Sequence, residues 1–155
     1  MSENKSGYTV DFTDFNLDFD KLVNETMLDA ARKGAFNAMA EMLRDADKEA
    51  PQTPKDKGDL RGSKTIEVSL PGMKAEGVKT LRKIDLPFSK EIVVTGGFNI
   101  EYAMKVHEAE PGTIRFQVKH AAIQQPGSKF LETKMVRNKE KYMAITALTI
   151  KNIMK

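Results

Sequence analysis

One glycine-rich turn in this chain comes close to a known chemical motif. The run Gly58–Thr65, G-D-L-R-G-S-K-T, differs by one residue from a phosphate-binding loop, because Ser63 stands where the second glycine belongs. That glycine lets the backbone wrap closely around a phosphate. A phosphate loop also follows a buried strand and opens a helix, whereas this run follows a proline-rich segment and precedes a predicted strand. We therefore expect a turn without a bound nucleotide, in which Arg61 anchors the start of the strand.

The two histidines, His107 and His120, are the other candidates for chemistry. The sequence H-E-A-E-P begins like a zinc-protease helix at His107, but it lacks the second histidine, and Pro111 would end the helix. No metal site is expected. Acid–base catalysis by His107 with Glu101 or Glu108 stays open as an alternative to a surface position on a short helix. The chain has no cysteine, so thiolate chemistry and disulfides are excluded.

Length and composition indicate one globular domain. The 155 residues suffice for a single core, and 40% hydrophobic with 30% charged residues is typical of a soluble protein. No apolar run approaches the ~20 residues of a membrane span. The sequence begins M-S-E-N-K, and no apolar stretch follows, so we expect no secretory signal. We also expect no membrane among the partners of the chain. The absence of cysteine fits a reducing cytoplasm.

Charge is divided unevenly along the chain. Residues 1–62 hold 13 acids and 9 bases, and residues 63–155 hold 9 acids and 16 bases. An acidic front and a basic back suit head-to-tail packing of neighbouring copies, but a simply solvated surface explains them equally well. The basic residues Lys79, Arg82 and Lys83 are candidates for an interface. They have no interleaved aromatics, so the pattern supports only a weak, salt-sensitive attraction to DNA.

The first 50 residues predict an arm and a long helix. In residues 1–19 aromatic and acidic side chains alternate, which is typical of a short strand or an extended arm. Phe12 and Phe15 would then dock on a neighbouring subunit, or the arm would fold over its own core. A helix should begin at an Asp20 N-cap and run about 30 residues, because apolar residues recur there at helical spacing. Its many alanines favour a close neighbouring helix, and Pro51 ends it.

The remaining elements follow in chain order. They are a strand at Ser63–Leu70, a long exposed loop at 71–91, a strand at Glu91–Gly96, a short helix capped by Asn99 and reaching Glu108, a strand at Thr113–Lys119, and a last helix capped by Ser128. In the last helix a basic run interrupts an apolar stripe that Met143, Ala147, Ile150 and Met154 resume. The predicted fold is α+β: a long N-terminal helix and a C-terminal helix packed on a small, mainly antiparallel sheet, with a short helix after the second strand.

Three passages place a turn signal directly against the start of an element. They are A-P-Q-T-P-K-D-K-G-D-L-R-G-S at Ala50–Ser63, G-G-F-N-I-E-Y-A-M-K-V-H-E at Gly96–Glu108, and P-G-S-K-F-L-E-T-K-M at Pro126–Met135. Leu60 should fill the core beneath the first turn, and Arg61 should pair with a carboxylate near the end of the long helix. Tyr102 and Val106, one helical turn apart, are expected in the core.

The order and wording of these passages resemble the neck and tail-completion proteins of long-tailed phages, which join head to tail. Members typically read A-P-x-x-x-G-x-L-R-x-S, then G-x-N-x-x-Y-A-x-x-V-E, then P-F-L-x-x-A-(L/M). The matching residues are Ala50, Pro51, Gly58, Leu60, Arg61, Ser63, Gly97, Asn99, Tyr102, Ala103, Val106, Glu108, Phe130, Leu131 and Met135. The family usually has a glycine just after the Val-Glu pair, whereas here His107 intervenes and Glu108-Ala109-Glu110 follows. The stretch from Pro71 to Glu91 is also longer than the family pattern leads us to expect.

The resemblance covers roughly residues 20–155 and implies one head–tail joining domain behind the arm at 1–19. It implies a structural virion protein, present in the host cytoplasm during assembly, that forms a hexameric ring between the head connector and the tail tube. DNA would pass through the ring, and neither a cofactor nor catalysis would be involved. Two other classes stay open: a nucleic-acid-associated accessory protein, and a small enzyme that uses His107 and nearby carboxylates.

Overall fold

The computed structural model describes residues 10–11, 25–54, 59–70, 72–83, 92–110, 113 and 126–155. The elements are β1 (Val10–Asp11), α1 (Glu25–Lys48), α2 (Asp59–Gly62), β2 (Lys64–Val68), β3 (Lys79–Arg82), β4 (Thr95–Phe98), α3 (Ala103–His107), α4 (Phe130–Arg137) and α5 (Lys139–Ile153). The predicted α+β class is confirmed. Helices and a small mixed sheet share one core.

The sheet has the strand order β1-β4-β2-β3. β4 is antiparallel to both β1 and β2, whereas β2 and β3 are parallel. Gly96 of β4 lies opposite Val10 on one side and Ile66 on the other. A Cβ on Gly96 would meet the Met39 sulfur at 2.3 Å, so the missing side chain is what lets α1 approach this strand so closely.

Among the described elements, α1 is the central one. Its apolar residues pack on β2 and β4, where Ile66, Val68 and Phe98 are buried, and Val94 is buried just before β4. A different face of α1 carries α5. Contacts there pair Glu49 with Asn138 and Gly34 with Thr146, so the two helices run antiparallel. α1 thus separates α5 from the sheet, which refines the prediction that both helices pack on the sheet.

The small residues of α1 allow α5 to approach closely, as the alanine content predicted. Ala30, Ala31 and Ala38 are buried, and a Cβ on Gly34 would lie 2.8 Å from the Thr146 carbonyl oxygen. Glycine within a helix costs up to ~1 kcal/mol relative to alanine. Here the close helix contact explains why this cost is tolerated.

The predicted loop at 71–91 is wrong in one part, because Lys79–Arg82 is the strand β3. β3 is defined by its backbone pairing with β2. Its sequence, K-T-L-R, does not alternate between apolar and polar residues, so no strand was predicted there. Residues 71 and 84–91 of that loop lie outside the described residues. The next strand also starts later than predicted: Ile92, Val93 and Val94 precede β4 rather than form it.

Two predicted helix caps are wrong. Tyr102, not Asn99, is the N-cap of α3, and the Asn99 N–H instead donates to the Ser63 carbonyl. Lys129, not Ser128, precedes α4, and its backbone is left-handed with φ 55°. The predicted last helix is divided at Asn138 into α4 and α5. The proposed Asp20 cap and the strand at 114–119 lie outside the described residues.

Candidate functional site

The first of the three passages caps the C-terminal end of α1. The last carbonyls of a helix have no partner within it and need donors from elsewhere. Thr53 donates to the Ala46 carbonyl through both its N–H (2.7 Å) and its hydroxyl (3.0 Å). The Gln52 side-chain amide donates to the Lys48 carbonyl at 3.1 Å. The turn after the helix therefore stabilises the helix end, which explains why it follows α1 directly.

Three basic side chains then hold the same turn from other elements. The Arg61 guanidinium donates to the Thr53 and Asp47 carbonyls at 2.8 and 3.1 Å. Lys134 of α4 donates to the Pro51 carbonyl at 2.9 Å, and Arg137 to the Ala50 carbonyl at 3.0 Å. We call Ala50–Thr53 and these three basic residues the α1 end cluster. It ties the end of α1 to both α2 and α4.

Burial changes the ionisation of two members of this cluster. The Lys134 side chain has no exposed surface, and burial lowers its pKa to about 8. Burial also lowers the pKa of Arg61, while the nearby Asp47 carboxylate opposes that shift. Arg61 Nε lies 3.7 Å from that carboxylate, as the sequence predicted for a group near the helix end. Lys64 contacts the same carboxylate, so the lysine of the phosphate-loop-like run is already paired.

His107 joins the second passage to the third. Its Nε2 accepts hydrogen bonds from the backbone N–H groups of Leu131 (3.3 Å) and Glu132 (3.5 Å), in the first turn of α4. The ring therefore satisfies two of the N–H groups that a helix start leaves without partners. Lys129 N–H donates to the His107 carbonyl at 2.8 Å. The prediction of a surface histidine is wrong, because the side chain is fully buried.

The other ring nitrogen of His107 contacts Glu108. Since Nε2 accepts hydrogen bonds, Nδ1 carries the proton and donates to the Glu108 carboxylate at 2.7 Å. Burial lowers the pKa of His107, and Glu108 partly opposes this shift. Glu108 also pairs with Lys129, and the hydrogen bonds from Lys129 and His107 lower its pKa. His107 thus acts as a neutral capping group held by an exposed ion pair.

Aromatic packing also holds the second and third passages together, at a contact that we call the junction. The Phe130 ring packs nearly perpendicular to the rings of Phe98 and His107, in T-shaped pairs with centroid distances of 5.3 and 4.8 Å. Such pairs contribute about 0.5–1.5 kcal/mol beyond the area they bury. The third passage also contacts the first through the backbone. The Gly127 N–H donates to the Gln52 carbonyl, and Gln52 and Pro126 form an isolated β-bridge.

A buried carboxylate links α1 to α5. Asp45, 4% exposed, accepts from the Tyr142 hydroxyl at 2.9 Å and from the Lys141 ammonium at 2.7 Å. Asn138 donates to Glu49 one turn further on. A buried charge is tolerated only where it is paired in this way. The roles of Asp45 and Lys134 and the capping by His107 were not predicted from the sequence. The first two occupy helix positions on faces that also carry core residues.

The predicted motif residues divide into buried, partly buried and exposed groups. The buried ones are Leu60, Gly97, Ala103, Phe130 and Leu131, which confirms Leu60 as a core residue. Partly buried are Pro51, Arg61, Ser63, Val106 and Lys83, and exposed are Asn99, Tyr102, Glu108, Lys79 and Arg82. The prediction for Tyr102 is therefore wrong: its side chain is 42% exposed at the start of α3. Gly58, Phe12 and Phe15 lie outside the described residues.

The described residues hold no arrangement suited to metal chemistry. Among them no group of three or more His, Asp or Glu side chains is placed to bind a metal ion. Ser63 donates its hydroxyl to the Leu60 carbonyl at 2.8 Å, as expected of a turn residue. Within the same part of the chain, no helix has both the length and the apolar character needed to cross a membrane.

The outward side of α5 carries exposed apolar side chains. Met143 is 45% exposed and Leu148 is 59% exposed, while Val136 of α4 is 72% exposed. The face toward α1 is instead made by Tyr142 and Thr146. The stripe that the sequence placed at Met143 and Ala147 therefore faces outward. A helix that is apolar on both sides is typical of one covered by a further partner.

Comparisons with known proteins return no relatives. No family model, no curated protein and no solved structure matches this chain. Its function is therefore inferred from its own residues and from the resemblance that the three passages carry.

Proposed function

We propose that this protein is a structural virion subunit that joins the head connector of a long-tailed phage to its tail. It acts by assembly, as one copy in a ring, hexameric by resemblance, through which DNA passes. The observation that carries the proposal is that the three passages of the resemblance meet at one junction, around the end of α1. Residues that are far apart in the chain, such as Gln52, His107 and Leu131, are connected there.

The junction gives the resemblance a physical basis. The first passage meets the second through Ser63 and Asn99, the second meets the third through His107 and Leu131, and the third returns to the first through Gly127 and Gln52. Motifs that a whole family shares are expected where they determine the fold, and these three passages connect several elements with one another. A set of unrelated turns would not be expected to converge in this way.

The surface of α5 supports a role in assembly. Met143 and Leu148 place large apolar groups on the outside of a helix that already has a packed inner face. Such a surface suits a protein that is covered by neighbours in its working state. The charge division between residues 1–62 and 63–155 suits contacts between unlike surfaces of adjacent copies.

His107 is a poor acid–base catalyst in this setting. Its side chain is buried, one ring nitrogen accepts from the α4 backbone, and the other donates to Glu108. A general base needs a nitrogen that can reach the proton of a substrate. The bonds to α4 account for this residue without a reaction.

Inactivating the gene in the phage or prophage that encodes the chain tests the proposal. We expect lysates with DNA-filled heads and separate tails, and recovery of joined particles when the intact gene is supplied in trans. A variant with Lys105→Ala, which changes an exposed side chain of α3, should complement like the wild type. Normal yields of joined particles without the gene would contradict the proposal. A loss of DNA-filled heads would instead favour the nucleic-acid-associated alternative.

A further inference from the structure

The outer face of α5 has a definite order of residues. Six exposed residues lie on it at spacings of three and four, opposite the face that packs on α1. They are Glu140, Met143, Ala144, Ala147, Leu148 and Lys151. The acid stands near the start of the helix and the base near its end, with two small residues between them. The large apolar groups Met143 and Leu148 flank the small pair.

This order is self-complementary when two copies of the helix run in opposite directions. Glu140 then lies beside Lys151 of the partner subunit, and Met143 beside Leu148 of the partner subunit. Ala144 meets Ala147 of the partner subunit at the centre, where small side chains let two helices approach closely. A parallel pairing would instead place like charges together, so the charge pattern selects the antiparallel arrangement.

We propose that α5 is a self-association surface and that its occupant is α5 of a second copy, related by a twofold axis. Each side-chain contact then occurs twice, as in any isologous interface. Met154, directly after the helix, is 41% exposed and adds an apolar side chain at the C-terminal end. One pair of helices buries less than the ~1,600 Å² of a standard interface, so the dimer is a weak one.

The twofold contact goes beyond the proposed function and does not depend on it. Copies in a polar ring meet through unlike surfaces, whereas a twofold pair uses the same surface on both copies. The α5 pair therefore describes the free subunit. It rests only on the exposure, spacing and charge of residues on this helix.

Sedimentation velocity on the purified full chain, over roughly 5 to 500 μM, tests the pairing around the micromolar range expected of a small interface. We expect a monomer–dimer equilibrium. Glu140→Lys and Lys151→Glu each turn two attractions into two repulsions. Each should raise the dissociation constant of the dimer roughly tenfold. The double variant Glu140→Lys/Lys151→Glu restores opposite charges across the pair and should recover dimerisation. Lys105→Glu, a charge reversal at an exposed residue of α3, is the matched control away from α5.

Thermal melting of every variant shows whether the helix itself is intact. Reversed charges at the two helix ends oppose the helix dipole, so the double variant should melt slightly lower and still dimerise. A monomer at all concentrations would overturn the proposal, and would indicate that α5 is free or covered within its own chain. A dimer that responds equally to Lys105→Glu, or that the double variant fails to restore, would also overturn it.

Discussion

Removing the His107 side chain should destabilise the fold more than most single substitutions in this chain. His107→Ala leaves the buried Leu131 N–H without its acceptor, which costs about 1–3 kcal/mol. It also removes the ring that packs against Phe130, worth about 0.5–1.5 kcal/mol, and leaves a cavity. Together these losses predict a decrease of about 3 kcal/mol in the free energy of unfolding.

Urea denaturation, followed by far-UV circular dichroism, measures this change. His107→Gln keeps a neutral acceptor that can reach the start of α4, so it should cost less than His107→Ala. Lys105→Ala changes an exposed residue on the same short helix and should stay within about 0.5 kcal/mol of the wild type. If His107→Ala costs less than about 1 kcal/mol, then the capping of α4 by this ring contributes little and the reasoning is refuted.

The same residue should make stability depend on pH. Burial holds the pKa of folded His107 below its ordinary value of 6.5, so below pH 6.5 the unfolded chain binds a proton that the folded chain resists. Stability should therefore fall in the wild type as pH drops from 7.5 to 5, by more than it falls in His107→Gln. Equal falls in the two proteins would contradict a neutral, buried His107.

Three further substitutions test other parts of the fold. Leu60→Ala should cost about 2–5 kcal/mol in urea denaturation, because the side chain is buried beneath the turn after α1, and a cost under about 0.5 kcal/mol would place it at the surface. Gly34→Ala should lower the melting temperature despite its better helix propensity, because the new Cβ meets the backbone of Thr146; a rise would mean that α1 and α5 separate easily. The pKa of Lys134 is about 8 in the fold against an ordinary 10.5, so the folded chain loses this proton at a lower pH than the unfolded chain does. From pH 7 to 10 the wild type should therefore gain stability relative to Lys134→Met. A constant difference in stability between the two proteins would contradict the lowered pKa.

The parts of the fold that local residue patterns control were predictable. α1, the proline-rich turn after it and the burial of Leu60 all follow from helical spacing, helix-ending prolines and an apolar residue beside a turn. The contact between Arg61 and Asp47 followed from the need of the helix end for a basic partner.

Features that depend on distant partners were not predictable. β3 exists because its backbone pairs with β2, and its own four residues carry no strand pattern. His107 was expected at the surface because its role lies in the N–H groups of Leu131 and Glu132, which are more than 20 positions away in sequence. The apolar stripe of α5 was correctly located in sequence, but only the packing on α1 shows that it faces outward.

Within the candidate site, the sequence identified the passages but not how they connect. Pro51 and Leu131 were marked as motif residues, whereas Lys134 was not, although it joins the two passages by donating to the Pro51 carbonyl. A lysine on a helix is normally exposed, so burial of this one could be recognised only from its surroundings. The junction itself therefore emerges from the structure.

Locating the protein in purified phage particles is the most direct test of a role between head and tail. Cryo-electron microscopy of particles, with the chain identified by a bound antibody fragment, shows where the copies lie. We expect a single ring of copies at the junction between head and tail, around the DNA path. Particles that lack the protein, or copies distributed along the tail or over the head, would contradict it.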